Sequence, residues 1–419
     1  MYNRKFDLKI LTQLSVTFFI LTVIVLPSGD IGGINVKILL MLILLFMLLI
    51  NLANRGNISR RSIFLILSSM SAMLFVFFNY VRATYLSDIN NYAKAEGMLF
   101  VTYFLSTAVL AVLLVEKFVD KDKIIGAIFY SAIFYSIIKI LLTLLSFLNI
   151  IPIELTATFI QDKFFVQPML FPITDNISRL QLANDYIICF VLFFLITQSN
   201  SFNFLKSNKI KVFFFLLLFL SVILSFSRYM LLVLAVAIVI RILQIKNFSL
   251  KGIVSFFTFI SIILIFYLNY FDAVNDFIAL RFSSDTSGSS DSVRETQVSC
   301  LLSAFQENPI LGHGGLGDFS PLCPGPLEAK FSYEVQYLGY LFRFGILQTI
   351  FIVLIYFLQF RISIEKKILA KNKVIPFIGV LMWMAIGFFN PYLISSYASI
   401  IMVLCICLSL NFENNKLNY

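Results

Sequence analysis

Charge is scarce in this sequence: only 13% of its 419 residues are charged, whereas 60% are hydrophobic. A typical soluble domain carries about 25% charged residues. With a mean hydropathy of +0.93, the chain has more apolar surface than a single water-soluble core can enclose. The composition therefore excludes a soluble globular protein and indicates an integral membrane protein, in contact with lipid over much of its surface.

Histidine and cysteine are also scarce, and their spacing argues against a metal centre. His313 is the only histidine, and the five cysteines form no CxxC motif. A transition-metal site built from His and Cys is therefore not expected, and no cofactor is expected. Cys405 and Cys407 lie in an apolar run, where we expect them to pack. Cys300 and Cys323 share a long polar segment, where a disulfide and two free thiols are both open.

The formal net charge is +10, which raises the question of nucleic-acid binding. The basic residues, however, are spread over short segments between apolar runs. Orientation in a bilayer explains this spacing better than a nucleic-acid partner does. We therefore expect membrane lipid, and no nucleic acid, around this protein.

Apolar runs recur along the chain at about the 20-residue length that a helix needs to cross a membrane. They predict an all-α integral membrane protein with about twelve transmembrane helices. The least certain division falls at Ser227–Arg228, the only interruption in a long apolar stretch. The predicted spans are 10–27, 35–52, 62–80, 98–115, 124–147, 183–199, 211–226, 229–246, 252–270, 335–358, 374–390 and 396–412.

Lysine and arginine orient these spans, because cytoplasmic loops carry an excess of both. The basic clusters fall on alternate loops and at both ends of the chain, which places both termini in the cytoplasm. The first span is interpreted as a retained helix, because no small-residue cleavage site follows Pro27. Three regions result: residues 1–270 with helices one to nine, a large non-cytoplasmic loop at 271–334, and residues 335–419 with helices ten to twelve.

The large loop is the segment most suited to carry chemistry, although 81–97 and 148–182 are also long outer segments. It contains a Ser/Asp/Gly-rich stretch, a helical pattern over 293–306, a turn at Asn308–Pro309 and glycines from Gly312 to Gly317. Long ordered loops in compact proteins are usually functional. A mobile solvent loop is the alternative.

Arg228 is the most distinctive single position, because it lies where two apolar runs meet at the expected outer boundary. An arginine there is costly unless it reaches the interface or binds a ligand. Its planar guanidinium suits phosphate oxygens. Lys139, in the outer third of the fifth span, is expected either to line a water-filled cavity or to pair with an acid such as Asp185.

Glu334 stands just before the tenth span and is a candidate general base. The alternative is an acid that stabilises the start of a helix. Arg343 lies in the same span and is expected to face the same cavity. Tyr337 is a candidate for stacking on a sugar, although packing against lipid is the more common role of such aromatics.

Further candidates for substrate binding lie in the outer segments. For each of the arginines a plain solvated side chain is at least as good an interpretation. His313 lies in a glycine turn, where a lone histidine is more often structural or exposed than catalytic. These candidates are Arg82, Arg179, Arg281 and His313, whereas Arg294 is a candidate catalytic residue beside Arg228 and Glu334.

Three motifs together carry a resemblance to a known family. Ser227-Arg228 ends one apolar run and is followed at once by another. A segment that starts at Arg294 ends in Asn308-Pro309 and glycines. Glu334 opens a span and is followed eleven residues later by Gly345-Ile346-Leu347. In order and spacing, over roughly residues 220–350, this pattern resembles the O-antigen polymerases (Wzy type) and O-antigen ligases, whereas the N-terminal half matches only as generic spans.

The resemblance implies a GT-C-like membrane glycosyltransferase of the bacterial inner membrane, with its active site facing the periplasm. It implies an undecaprenyl-pyrophosphate-linked oligosaccharide as donor, no essential metal, and a chain-length regulator as a partner. Arg228 and Arg294 would then stabilise the pyrophosphate, with Arg281 and Arg82 as further candidates, and Glu334 would serve as base.

Ligases of this family tend to carry histidine in an HN-type motif, where this chain has Glu334-Val335. This difference favours the polymerase branch. A ligase, a flippase for the lipid-linked repeat unit and a structural membrane protein remain alternatives. No half-to-half repeat of the transporter kind is visible, and the late large loop suits an extracytoplasmic enzyme better.

Overall fold

The computed structural model describes residues 2–410, apart from 32–33, 87–89, 149, 165, 167, 175–176, 203, 206, 226, 245–283, 327–328 and 365–372. The predicted span 252–270 and Arg281 therefore lie outside the described residues.

Most of the described chain is helical, because the long apolar runs can satisfy their backbone groups in lipid only within helices. The helices are α1 (Tyr2–Val25), α2 (Val36–Arg55), α3 (Arg60–Leu86), α4 (Asn90–Val115), α5 (Lys121–Phe147), α6 (Ile153–Phe164), α7 (Asp185–Thr197), α8 (Asn208–Ile223), α9 (Arg228–Gln244), α10 (Ser284–Glu307), α11 (Gln336–Ser363), α12 (Val374–Ala385) and α13 (Ser396–Ser409).

Each of the eleven predicted spans that the structure describes coincides with a helix. Among the described residues, six helices are long and apolar enough to cross a membrane, namely α1 to α5 and α11. The apolar helices at Asp185–Thr197, Val374–Phe388 and Ser396–Ser409 are shorter. The helical membrane architecture is thus supported, whereas the count of twelve spans and their orientation stay predictions.

Two β-hairpins correct the expectation of a purely helical chain. Strands β1 (Asp30–Ile31) and β2 (Ile34–Asn35) form one, and β3 (Met169–Thr174) and β4 (Ile177–Gln181) form the other, both antiparallel. Both lie in connections between helices, where the chain must reverse and its backbone groups need partners outside a helix. The second hairpin and α6 occupy much of the predicted outer segment 148–182.

Two short helices, α7 and α13, form the centre of the bundle. Every residue of α13 and nearly every residue of α7 is buried. Helix α13 packs against α4, α5 and α12, and α7 packs against α8 and α9. The structure also separates α8 from α9 at the predicted position, because α8 ends at Ile223 and α9 begins at Arg228.

Helix α11 is interrupted at Gly345, which has a φ of 69° and a ψ of 179°. A left-handed φ of this kind favours glycine. A Cβ at this position would also collide with the carbonyl group of Ile310. The interruption leaves some backbone groups of α11 without partners inside the helix. The segment after α10 provides hydrogen bonds to these groups. Ile346 N donates to the Pro309 carbonyl at 2.9 Å, and His313 N donates to the Phe342 carbonyl at 2.8 Å.

Candidate functional site

The structure brings together two of the three residues predicted to be catalytic. Arg294 on α10 and Glu334 just before α11 form an ion pair, with Nε 2.7 Å from Oε2, and both side chains are partly exposed. The backbone N–H of Glu334 donates to Oε1 of Gln297, one turn further along α10, at 2.9 Å. A carboxylate and a guanidinium therefore face each other at the start of a predicted membrane span.

A disulfide and a small apolar cluster connect α10 to the segment that enters α11. Cys300 on α10 is bonded to Cys323, which selects one of the two states that the sequence left open. Leu301 packs with Cys323, Tyr333 and Phe342. These contacts hold the chain on either side of Glu334 against the helix that carries Arg294.

The third predicted catalytic residue, Arg228, begins α9 in the same region. Its neighbour Tyr229 donates a hydrogen bond to the Met382 carbonyl, and the Tyr229 ring lies 5.8 Å from the ring of Phe389. The carbonyl of Phe389 in turn accepts a hydrogen bond of 3.3 Å from Arg294. The start of α9, the turn after α12 and the Arg294–Glu334 pair are thus linked by successive contacts.

Tyr337 lies at the same place, one turn after Glu334. Its hydroxyl donates to the Met384 carbonyl at 2.9 Å, and its ring lies 4.7 Å from that of Phe388. The side chain is partly exposed. The structure therefore places this candidate for sugar stacking beside the proposed base and against the turn after α12.

Arg343 is enclosed rather than open to a cavity. Its side chain is 2% exposed and forms an ion pair with Glu96 on α4, with Nη2 2.9 Å from Oε1. Nη1 donates to the carbonyl of Phe331. This environment favours a structural role over the substrate contact expected from the sequence, because the guanidinium has no open path to a ligand here.

Sequence reasoning did not single out Glu96. It precedes the predicted span 98–115, in the outer segment 81–97, and carries no motif of its own. Its other oxygen, Oε2, accepts a hydrogen bond of 2.7 Å from the N–H of Gly317. The sequence showed only an acidic residue immediately before an apolar run. That position does not predict which residue Glu96 contacts.

Arg82 and His313 lie at the glycine segment (residues 312–317), where their contacts are also structural. Arg82 donates to the carbonyls of Leu311, Gly312 and His313, the last at 3.0 Å. The His313 ring stacks on Phe342 with centroids 5.1 Å apart, and its Nε2 lies 3.2 Å from Oε2 of Glu307. The predicted roles of both residues in substrate binding stay predictions.

Arg179 lies in β4, opposite Phe171 in the hairpin register. Arg281 is outside the described residues. The predicted substrate contacts of both arginines stay predictions.

Of the two roles expected of Lys139, the structure confirms the pairing with Asp185. Its Nζ lies 2.7 Å from Oδ2 of Asp185 and donates to Oγ of Ser225 at 2.6 Å. Tyr135 donates to the other oxygen of Asp185 at 3.0 Å. Ser225 is three residues before Arg228, so this buried cluster supports the connection from which α9 begins.

Asp318 directly follows the glycine segment and opens the disulfide-linked loop (residues 318–326), which carries Cys323. Burial raises the pKa of its carboxyl group above the ordinary value, although the Phe319 N–H and the charges of Arg343, His313 and Arg82 act in the opposite direction.

Within the described residues, no three His, Cys, Asp or Glu side chains come together in a way that could hold a metal ion.

The helices and the sequence comparisons define a class of protein. Several apolar helices make this a multi-pass membrane protein. Residues 213–353 match the Wzy_C family model, which is described as O-antigen ligase. Residues 213–353, about a third of the chain, are therefore similar to this family of membrane glycosyltransferase-like enzymes. The predicted resemblance is confirmed over nearly the same residues that suggested it. No match is found among curated proteins.

Proposed function

We propose that this protein polymerises lipid-linked O-antigen repeat units, or those of a related surface polysaccharide, at the periplasmic face of the bacterial inner membrane. The donor would be the growing glycan on undecaprenyl pyrophosphate, and the acceptor a sugar hydroxyl of a new lipid-linked unit. One observation carries the proposal: the ion pair of 2.7 Å between Arg294 and Glu334, at the start of α11, inside the family-matched region.

The proposed glycan transfer needs a base for the acceptor hydroxyl and positive charge beside the leaving pyrophosphate. The anomeric carbon of the growing chain breaks its bond to the pyrophosphate oxygen and forms one to the acceptor oxygen. The acceptor proton needs a base, for which Glu334 is suited. The leaving pyrophosphate gains negative charge, which Arg294 and Arg228 would stabilise. A donor pyrophosphate could draw Arg294 away from Glu334 and leave the carboxylate available to the hydroxyl.

The substrate explains why the site lies at the end of a membrane span. A polyprenyl tail stays in the bilayer while its sugars remain in water, so the pyrophosphate lies at the boundary between them. Arg228 at the start of α9 and Glu334 before the start of α11 suit that boundary. Tyr337 would present a ring to a sugar face. A chain-length regulator in the same membrane is a further proposed partner.

A ligase and a flippase are separated from a polymerase by one experiment. The gene is deleted in a smooth strain, and the lipopolysaccharide is examined on a gel. A single repeat unit on the core supports the polymerase. Core alone with lipid-linked polymer accumulating supports a ligase, and core alone with unpolymerised units trapped on the inner face supports a flippase.

The site assignment is tested by Glu334→Ala and Arg228→Ala in the complemented strain. We expect both variants to abolish polymer while the protein remains in the membrane at its normal amount, because each removes a group that acts on the reacting atoms. Arg241→Ala, in the last turn of α9, serves as a control for loss of an arginine from the same helix. Full-length polymer from either site variant would overturn the assignment.

A further inference from the structure

Two segments lead up to the proposed base in the chain, and one buried ion pair contacts both. The first is the glycine segment (residues 312–317), which fills the interruption of α11. The second is the entry segment (residues 331–334), which ends at Glu334. The pair is Glu96 on α4 with Arg343 on α11, whose atoms lie 2.9 Å apart.

Each member of the pair has a second contact. Oε2 of Glu96 accepts the N–H of Gly317 at 2.7 Å, at the end of the glycine segment. Nη1 of Arg343 donates to the carbonyl of Phe331, at the beginning of the entry segment. A single pair of charges therefore fixes both ends of the chain between Gly317 and Phe331.

Burial and surrounding aromatic rings restrict the Glu96–Arg343 pair to one arrangement. Glu96 is 3% exposed and Arg343 is 2% exposed. The guanidinium carbon of Arg343 lies between 5.5 and 5.9 Å from the ring centres of Phe331, Tyr333, Tyr340 and Phe344. Buried charges of this kind are costly unless both are satisfied, so the pair resists displacement.

We infer that Glu96 and Arg343 are positioning residues for Glu334. Phe331 is three residues before Glu334, and no other charged side chain donates to its carbonyl among the described contacts. Loss of the Arg343 contact would free the entry segment at its first residue. Glu334 would then lose one of the contacts that fix it relative to Arg294, beside the Gln297 hydrogen bond and the packing of Tyr333 on Leu301. This inference rests on the proposed role of Glu334.

The test uses the purified full-length protein in detergent with lipid-linked repeat units. Arg343→Lys keeps the charge, but a single ammonium cannot reproduce the two-sided contact of a guanidinium. The double variant Glu96→Gln/Arg343→Gln removes both charges, so that no lone charge remains buried if a single variant fails to fold. Arg55→Lys is the matched control, because Arg55 also pairs with a buried acid, Glu116, which directly follows the last residue of α4.

Two readouts are measured on each variant. We expect faster hydrogen exchange of the peptide that covers residues 329–335 in Arg343→Lys and in the double variant. Hydrogen exchange of α7 and α13 should be unchanged in both. Turnover is expected to fall by about 10- to 100-fold, the size of effect that a displacement of about 1 Å can produce, with KM for the lipid-linked unit nearly unchanged. Arg55→Lys is expected to change neither readout.

The outcomes separate the inference from the proposed function. Unchanged exchange at 329–335 overturns the positioning role, whatever happens to turnover. Faster exchange with normal turnover also overturns it, provided that Glu334→Ala is inactive. If Glu334→Ala is itself fully active, the proposed base is wrong and the positioning inference is overturned with it, while the exchange data still report the anchoring of the segment.

Discussion

At the scale of single residues, charged side chains divide into two groups by exposure. Arg294 and Glu334 are paired but partly exposed, so a ligand can reach them. Arg343, Glu96, Lys139 and Asp185 are paired and almost completely buried. Exposure therefore distinguishes the candidate catalytic pair from these two buried pairs.

Asp318 gives a prediction about stability and pH. Because burial raises the pKa of its carboxyl group, the folded state holds the proton more tightly than the unfolded state does. Its contribution to stability is therefore full at low pH and is lost as the pH rises through the folded-state pKa. Asp318→Asn removes the cost of burying an ionised carboxylate, and the asparagine side chain can still accept a hydrogen bond from the Phe319 N–H.

We accordingly expect Asp318→Asn to raise the melting temperature at pH 7 and to lose that advantage as the pH falls toward about 4, the ordinary pKa of aspartate. Thermal unfolding of the detergent-solubilised protein over this pH range is the measurement. An advantage for Asn that grows toward acid would show that the sign is wrong. Asp122→Asn, on the first turn of α5, is a control at an acid exposed to solvent.

At the scale of elements, the interruption of α11 is the feature that organises the site. Gly345 and the glycine segment fit together because neither has a Cβ at the point of contact: a Cβ at Gly312 would meet the Arg343 carbonyl, and one at Gly345 would meet that of Ile310. This contact places the end of α10 against α11 and, through the disulfide-linked loop, sets where Glu334 lies.

Gly345→Ala is expected to destabilise the protein. The combination of φ 69° and ψ 179° is nearly exclusive to glycine and costs roughly 1–3 kcal/mol for a residue with a Cβ, and the collision with Ile310 adds to that. Gly126→Ala is the matched control, because Gly126 is inside α5 and a Cβ there would meet nothing within 4 Å. We expect Gly126→Ala to be neutral or stabilising by up to about 1 kcal/mol. Equal unfolding temperatures for the two variants would contradict this account of the interruption.

The elements also show what sequence can and cannot predict. Helix positions follow from local runs of apolar residues, so spans such as 124–147 and 335–358 coincide closely with α5 and α11. The start of α10 was predicted at 293 and lies at Ser284, because Ser, Asp and Gly are poor helix formers and local propensity argues against a helix there.

The candidate site could be predicted only in part, for a related reason. Arg294 and Glu334 each belong to a recognisable motif, and the structure adds that they touch. Glu96 belongs to no motif, and its partner Arg343 is far away along the chain. Pairs of that kind depend on how α4 and α11 pack, which a single sequence does not specify.

At the scale of the whole molecule, the proposed site lies at the ends of a few helices of an apolar bundle. Helices α9 and α11 begin close to the turn after α12, and α10 closes over that region from the large loop. The central helices α7 and α13 are buried and have no part in the proposed site. For the proposed polymerase we expect donor and acceptor both to be lipid-linked, because the proposed site lies where a polyprenyl tail would meet water.

The most direct test of that claim is a reconstitution. Purified protein is mixed with undecaprenyl-pyrophosphate-linked repeat units in detergent or vesicles, without lipid A core, and the length of the lipid-linked glycan is measured. We expect the wild type to produce a ladder of polymer and Glu334→Gln to produce none. No polymer from the wild type until lipid A core is added, followed by transfer of glycan onto that core, would contradict the polymerase and establish a ligase.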